Sequence, residues 1–160
     1  MNYLENILKA YRNIDYINRF EGLYNRHDDF DNRMKKIENN IAKRIFNNFG
    51  FKVEILQPGR DFEFYEQLDE IGFVFSLNIK GGAIVQYTYV YNKNEKVESP
   101  ENIYFIYRYL IDNLDLELHP IVYKNEQDFK EILGELLSIY SDFKFEFMRL
   151  VNEGNNTDVV

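Results

Sequence analysis

The sequence contains no cysteine, no tryptophan and only three prolines among its 160 residues. The absence of cysteine excludes disulfides, thiolate zinc sites and cysteine nucleophiles. No apolar run reaches the roughly 18 residues that a membrane-spanning helix requires. The N-terminus also lacks the basic region and apolar core of a signal peptide. We therefore expect a cytoplasmic protein that does not bind membranes.

Histidine is scarce, and this scarcity argues against a metal centre. His27 and His119 are the two histidines, and they lie far apart in the sequence. His27 precedes Asp28, but metal phosphohydrolases with a His-Asp pair need further histidines. We expect neither a metal nor another cofactor.

Catalytic motifs are also incomplete. A restriction-like nuclease places an Asp before a Glu-x-Lys, and here Asp61 or Asp69 is followed by Asn78-Ile79-Lys80, with Asn at the Glu position. Losing that carboxylate removes a hard oxygen ligand for Mg²⁺. Gly81-Gly82 joins two predicted strands and does not open a helix, which argues against a phosphate-binding loop. The sequence therefore predicts a protein that is not an enzyme.

Acidic side chains outnumber basic ones, and the excess lies in the second part of the chain. The net charge is −8; residues 1–50 carry nine basic and seven acidic side chains, and residues 51–160 carry ten and twenty. A nucleic-acid-binding protein needs a positive surface toward the phosphates, so we expect no nucleic-acid binding. An acidic surface instead attracts basic partners, although it also serves solubility.

Apolar residues at three- and four-residue spacing predict four helices. The first runs from a cap at Asn2 to near residues 24–27, and the second covers residues 30–48, with Gly50 as its C-terminal cap. The third starts at Ser99-Pro100-Glu101 and continues to residue 114. The fourth starts at Asn125 and continues to residue 151.

Alternating apolar residues predict strands between the second and third helices. Residues 51–55 form one strand, ended by Pro58-Gly59, and residues 61–68 form another. The clearest pattern covers 71–80 and 83–91, joined by Gly81-Gly82. A two-residue turn fixes the register, with Lys80 opposite Ala83 and Ser76 opposite Tyr87. Residues 120–123 form a further short strand.

These elements predict an α+β fold in one domain, residues 1–152, followed by a frayed polar tail at 153–160. The antiparallel sheet has about four strands and centres on the 71–80/83–91 hairpin. Two N-terminal and two C-terminal helices pack on it. One sheet face is strongly apolar, whereas the other carries Tyr87, Tyr89 and Tyr91 and is covered only if a further helix packs there.

The tyrosines and the acidic clusters together predict a protein-binding surface. Aromatic residues make up 17% of the chain. Tyrosine is enriched at interface cores, and its ring beside carboxylates suits Arg or Lys from a partner. The predicted partner-binding residues are Asp61, Glu63, Glu66, Asp69, Glu70, Tyr87, Tyr89, Tyr91, Asp112, Asp115 and Glu117.

One stretch is similar to a known class of proteins. Residues 120–140, PIVYKNEQDFKEILGELLSIY, form a short predicted strand followed by an acidic-capped aliphatic helix. This stretch and the plan of residues 1–152 resemble the small immunity proteins of bacterial polymorphic-toxin and contact-dependent inhibition systems. The resemblance implies an inhibitor that occludes a cognate toxin, often a basic nuclease.

Two other functions fit the same residues. A regulatory module could bind a small ligand in an aromatic pocket, and a phage-encoded inhibitor of a host defence protein would use the same surface chemistry as an immunity protein. A concave apolar cavity with ligand-dependent melting would favour the first. A neighbouring toxin gene and salt-dependent association would favour an immunity protein.

Overall fold

The computed structural model describes residues 2–57 and 61–157. Within them the chain has the predicted α+β architecture, with five α-helices and an antiparallel sheet. The helices are α1 (Tyr3–Asn13), α2 (Tyr16–Arg26), α3 (Asn39–Asn48), α4 (Ile103–Leu110) and α5 (Glu126–Thr157). The strands are β1 (Glu54–Gln57), β2 (Asp61–Leu68), β3 (Ile71–Lys80), β4 (Ala83–Asn92), β5 (Glu95–Lys96) and β6 (Ile121–Val122).

The sheet centres on the predicted hairpin. Its strand order is β1-β2-β3-β4-β5, and β6 pairs with β4. Lys80 lies opposite Ala83 and Ser76 opposite Tyr87, which confirms the predicted register. The described residues hold more strands than the predicted sheet of about four: β6 lies within the short strand predicted at 120–123, whereas β5 was not predicted, because its two residues are too few for a periodic pattern.

The core lies between the apolar sheet face and the helices. The rings of Phe73 and Phe75 meet those of α5, with Phe75 and Tyr140 centred 5.5 Å apart and Phe73 and Phe143 6.4 Å apart. Tyr11 of α1 stacks on Phe143 at 4.2 Å. Such aromatic pairs add stability beyond the area they bury, and they fix α1 over α5.

The first predicted helix is two helices, which corrects the prediction. Asp15 has a left-handed backbone with φ of 60° and separates α1 from α2. The apolar spacing does not reveal this break, because both helices bury a face against the same core. Tyr16, the first residue of α2, donates a 2.6 Å hydrogen bond to the carbonyl of Ile103.

The second predicted helix covers less than residues 30–48. Residues 30–32 form a 3-10 turn, residues 33–38 are not helical, and α3 begins at Asn39. Tertiary hydrogen bonds replace the helix, since Met34 N donates to Tyr123 O at 2.7 Å and Arg33 Nε to Gly81 O at 2.6 Å. The following strand begins at Glu54, not at residue 51, and its predicted Pro58-Gly59 end lies outside the described residues.

The third predicted helix starts and ends differently. The cap of α4 is Asn102, whose side-chain oxygen accepts from Phe105 N at 2.9 Å, and the helix ends at Leu110. The preceding residues run beside β4, where Thr88 N donates to Glu101 O at 2.9 Å. Ser99-Pro100-Glu101 therefore covers a sheet edge and does not begin the helix.

The fourth helix begins as predicted and extends further. Asp128 N donates to Asn125 Oδ1 at 2.8 Å and Lys124 N to Asp128 Oδ2 at 3.1 Å, a reciprocal cap. The helix α5 continues to Thr157, into the stretch for which the composition predicts a frayed tail. Residues 158–160 lie outside the described part of the chain.

Candidate functional site

The second face of the sheet carries the predicted tyrosines. Residues directly opposite in an antiparallel pair point to the same face, so the register defines its members. We call this surface the tyrosine face; its residues are Asp61, Glu63 and Tyr65 of β2, Val74, Ser76 and Asn78 of β3, and Val85, Tyr87, Tyr89 and Tyr91 of β4. All except Ser76 are half-buried or exposed.

The helices pack on the opposite face. Ring contacts from α3 and α5 reach Phe62, Phe64, Phe73 and Phe75, which all lie on the apolar face. The helix α4 reaches only one end of the tyrosine face, where Asn102 and Arg108 line a groove with Val85 and Tyr87. Within the described residues, Tyr89 and Tyr91 have no ring contact with a helix.

The tyrosines form an ordered strip. Tyr87 and Tyr89 stack with their ring centroids 5.8 Å apart and nearly parallel. Lys96 Nζ lies 4.7 Å from the centre of the Tyr89 ring and 2.7 Å from Glu101 Oε1. The strip thus already holds one cation over an aromatic ring, which is the contact we predict for a partner's Lys or Arg.

Carboxylates lie in the same rows as these rings. Glu63 is opposite Ser76, which is opposite Tyr87, so Glu63 and Tyr87 are two strands apart, about 10 Å. Asp61 accepts a hydrogen bond from the Asn78 amide. The sequence predicts that the whole acidic segment 61–70 adjoins the tyrosines; of its acids, Asp61 and Glu63 share the face of the tyrosines.

Glu54 of β1 lies directly opposite Glu63, an unfavourable cross-strand pair. The two border a cavity of about 250 Å³ together with Lys52, Phe64 and Tyr65. Among the described residues, neither carboxylate belongs to an ion pair. By contrast, several carboxylates on the helical side of the sheet are paired: Glu66 with Lys144, Glu131 with Arg26, and both Glu135 and Asp142 with Arg19.

The negative charge acts on the tyrosines. The pKa of Tyr89 is raised to about 12, first because the ring is partly buried and then because Glu101, its tyrosine neighbours and Glu63 oppose a phenolate. Tyr89 therefore keeps its proton at neutral pH and can donate a hydrogen bond.

Glu66 lies apart from this surface, although its segment was predicted to contribute as a whole. Its Oε1 accepts from Tyr140 Oη at 2.6 Å and from Lys144 Nζ at 2.7 Å. Burial raises the pKa of Tyr140, and the hydrogen bond to Glu66 raises it further. Even-numbered positions of β2 face the helices, so Glu66 supports α5.

The remaining predicted acids lie in two exposed segments. Asp69 and Glu70 form the exposed turn between β2 and β3, where Glu70 lies 3.8 Å from Lys93. Asp112, Asp115 and Glu117 are exposed in the loop after α4. The structure thus places Asp61 and Glu63 on the face of the tyrosines and the other predicted acids elsewhere.

Sequence reasoning missed four contributors to this region. Alternation along β2 already places Tyr65 beside Glu63, whereas only the β1–β2 register places Glu54 there. Lys96 reaches Tyr89 through β5, which has no pattern of its own. Arg108 of α4 lines a groove beside Tyr87, and helical spacing alone cannot show which strand α4 meets.

The described residues show neither a metal-binding cluster nor a membrane-spanning helix. Across residues 2–57 and 61–157, no three His, Asp or Glu side chains are grouped to hold a metal ion. None of the helices in this part of the chain is long and apolar enough to cross a bilayer. Comparison with protein-family models, curated proteins and solved structures finds no match for this chain.

Proposed function

We propose that the protein is a protein-binding inhibitor, specifically an immunity protein that neutralises a cognate basic toxin of the nuclease type. It acts in the bacterial cytoplasm by occluding the toxin and catalyses no reaction itself. The observation that carries the proposal is the tyrosine face, where the stacked Tyr87 and Tyr89 share a sheet surface with Glu54 and Glu63, carboxylates that form no ion pair among the described residues. This surface combines the two features that a basic protein partner needs.

The carboxylates supply the electrostatic attraction for a basic partner. A partner Lys or Arg placed between Glu54 and Glu63 would relieve the repulsion between them and gain two charge-assisted hydrogen bonds. Long-range attraction between the acidic sheet and a basic toxin would speed encounter, and salt would weaken it.

The tyrosines supply the short-range contacts of the proposed interface. Tyr87 and Tyr89 are half-buried and held by stacking, so docking would immobilise few new rotamers. Rigid aromatic anchors of this kind carry much of the binding energy at protein interfaces. They should control how slowly the complex dissociates.

The test uses toxin candidates encoded beside the gene for this protein. Each is expressed with and without it, and the purified pair is studied by binding kinetics at several salt concentrations. We expect one neighbour to be toxic alone and harmless when co-expressed. In the purified pair, Tyr89→Ala should raise the dissociation rate at a cost of about 2 kcal/mol.

The matched control is Phe145→Ala, an aromatic residue of α5 that is 76% exposed and lies on the helical side, away from the tyrosine face. It should change the dissociation rate much less. Thermal melts of both variants separate lost contacts from lost folding. If no neighbouring protein binds or is neutralised, the immunity function is wrong; if binding survives Tyr89→Ala in folded protein, the placement is wrong.

A further inference from the structure

A groove lies between β4 and α4, at the edge of the tyrosine face. Its volume is about 320 Å³, at the low end of the range for small-molecule sites. Besides Tyr104, its lining consists of Val85, Tyr87, Asn102, Arg108, Leu118 and Pro120.

The walls of the groove are fixed by hydrogen bonds to the sheet edge. Tyr104 Oη donates to Ile84 O at 2.7 Å and accepts from Ile121 N at 2.8 Å, so the α4 side is tied to both β4 and β6. Tyr87 and Asn102 form a β-bridge at the other end. The groove is therefore preformed, which lowers the entropy lost when a ligand binds.

Arg108 provides a cation that has no partner carboxylate in the part of the chain that the structure describes. Its Nε donates to Leu116 O at 2.7 Å, which orients the guanidinium. The following loop carries Asp112, Asp115 and Glu117, yet no carboxylate of the described residues forms an ion pair with Arg108. Asn102 uses its side-chain oxygen to cap α4, so its amide NH₂ is left to donate.

We propose that this groove binds a small organic carboxylate with an aromatic ring. The flat guanidinium of Arg108 presents parallel N–H groups that match a carboxylate. The ring lies against Tyr87 and the apolar walls from Val85, Leu118 and Pro120. A singly charged carboxylate fits better than a phosphate, because one cation lines the groove and three acids occupy the adjoining loop.

This site does not depend on the proposed toxin inhibition. It does share Tyr87 with the tyrosine face, so a bound carboxylate would change the surface offered to a protein partner. The test can therefore be made on the isolated protein.

The experiment is an NMR titration of the ¹⁵N-labelled protein with 4-hydroxyphenylacetate, with the neutral 4-hydroxyphenylacetamide as the matched probe. We expect saturable shifts at residues 85–88 and 102–108 with the acid and much weaker ones with the amide. Arg108→Gln should weaken acid binding about tenfold or more, as expected for a charge-assisted pair. Arg12→Gln, an exposed arginine of α1, should leave it unchanged.

Arg108→Gln also loses the hydrogen bond to Leu116, so a loss of binding in this variant would not by itself exclude misfolding. A second variant is therefore needed. Leu118→Trp keeps the arginine and fills the groove, and it should abolish the shifts. The proposal is overturned if the acid and the amide bind equally, if the shifts lie elsewhere, if folded Arg108→Gln binds normally, or if no saturable shift is seen.

Discussion

Gly82, in the turn between β3 and β4, meets two separate constraints. Its φ of +84° lies in the region that favours glycine, and a Cβ there would collide with the Met34 carbonyl oxygen. Gly81 also has a positive φ, +57°, but nothing lies within 4 Å of the position of its Cβ. A substitution at Gly81 therefore meets backbone strain alone, whereas one at Gly82 meets both backbone strain and a steric collision.

Gly82→Ala should therefore destabilise the protein by clearly more than Gly81→Ala. We expect about 1–2 kcal/mol for Gly81→Ala, from the left-handed backbone alone, and more for Gly82→Ala. Urea unfolding of the two variants measures the difference. Equal losses of stability in the two variants would mean that residues 33–38 move away from the added Cβ without a measurable loss of free energy.

The parity of residue numbers explains which part of the candidate site could be predicted. Asp61 and Glu63 share the odd-numbered face of β2, and alternation alone groups them with the tyrosines through the hairpin. Glu66 is even-numbered, so the same alternation places it on the helical face. The prediction of a single acidic surface misses this, because it treats residues 61–70 as one segment. The loop acids at 112–117 follow no period, so their position depends on tertiary contacts.

At the scale of elements, local chemistry predicted well where the turn or cap was self-contained. The Gly81-Gly82 turn fixed the β3–β4 register, and Asn125 with Asp128 fixed the start of α5. The sequence-based prediction was wrong where backbone groups far away in the sequence form hydrogen bonds with the segment. The 33–38 stretch has helical spacing, yet its hydrogen bonds go to Tyr123 and Gly81.

The pairing of β1 with β2 gives a test in which stability and binding move in opposite directions. Glu63→Lys converts the Glu54–Glu63 repulsion into an attraction across the two strands. We expect the free energy of unfolding to rise by about 0.2–1 kcal/mol, while association with the basic partner slows, most at low salt. Denaturant melts and association rates measure the two effects.

Glu38→Lys is the matched control, because it changes the net charge equally at an exposed position before α3 on the helical side. It should leave the association rate much closer to that of the unchanged protein. A loss of stability on Glu63→Lys would show that Glu63 makes contacts beyond its repulsion with Glu54.

For the whole molecule, buried phenols set the behaviour at high pH. Burial raises the pKa of Tyr11, Tyr16, Tyr104 and Tyr140 above the ordinary value of 10.0. Below pH 10 both the folded and unfolded states keep these protons, so the full stability is present. Above it the unfolded state releases them first, and the free energy of unfolding must fall as the pH rises.

We therefore expect stability to decrease progressively from about pH 10 upward, with tyrosine ionisation coupled to unfolding. Urea melts across this range, together with absorbance near 295 nm, follow both events. Tyr140→Phe removes one of the buried phenols and should make the decrease less steep. If all tyrosines ionised near pH 10 while the protein stayed folded, the burial of these phenols would be contradicted.

The alternation along β4 has a consequence for how this protein can diverge. Ile84, Gln86, Thr88 and Val90 are buried on one side, whereas Val85, Tyr87, Tyr89 and Tyr91 face outward between them. Mutations at Tyr89 and Tyr91 leave the packing of the helices untouched, whereas Val85 and Tyr87 border α4. A lineage can therefore change the outer chemistry of this strand while inheriting the same interior.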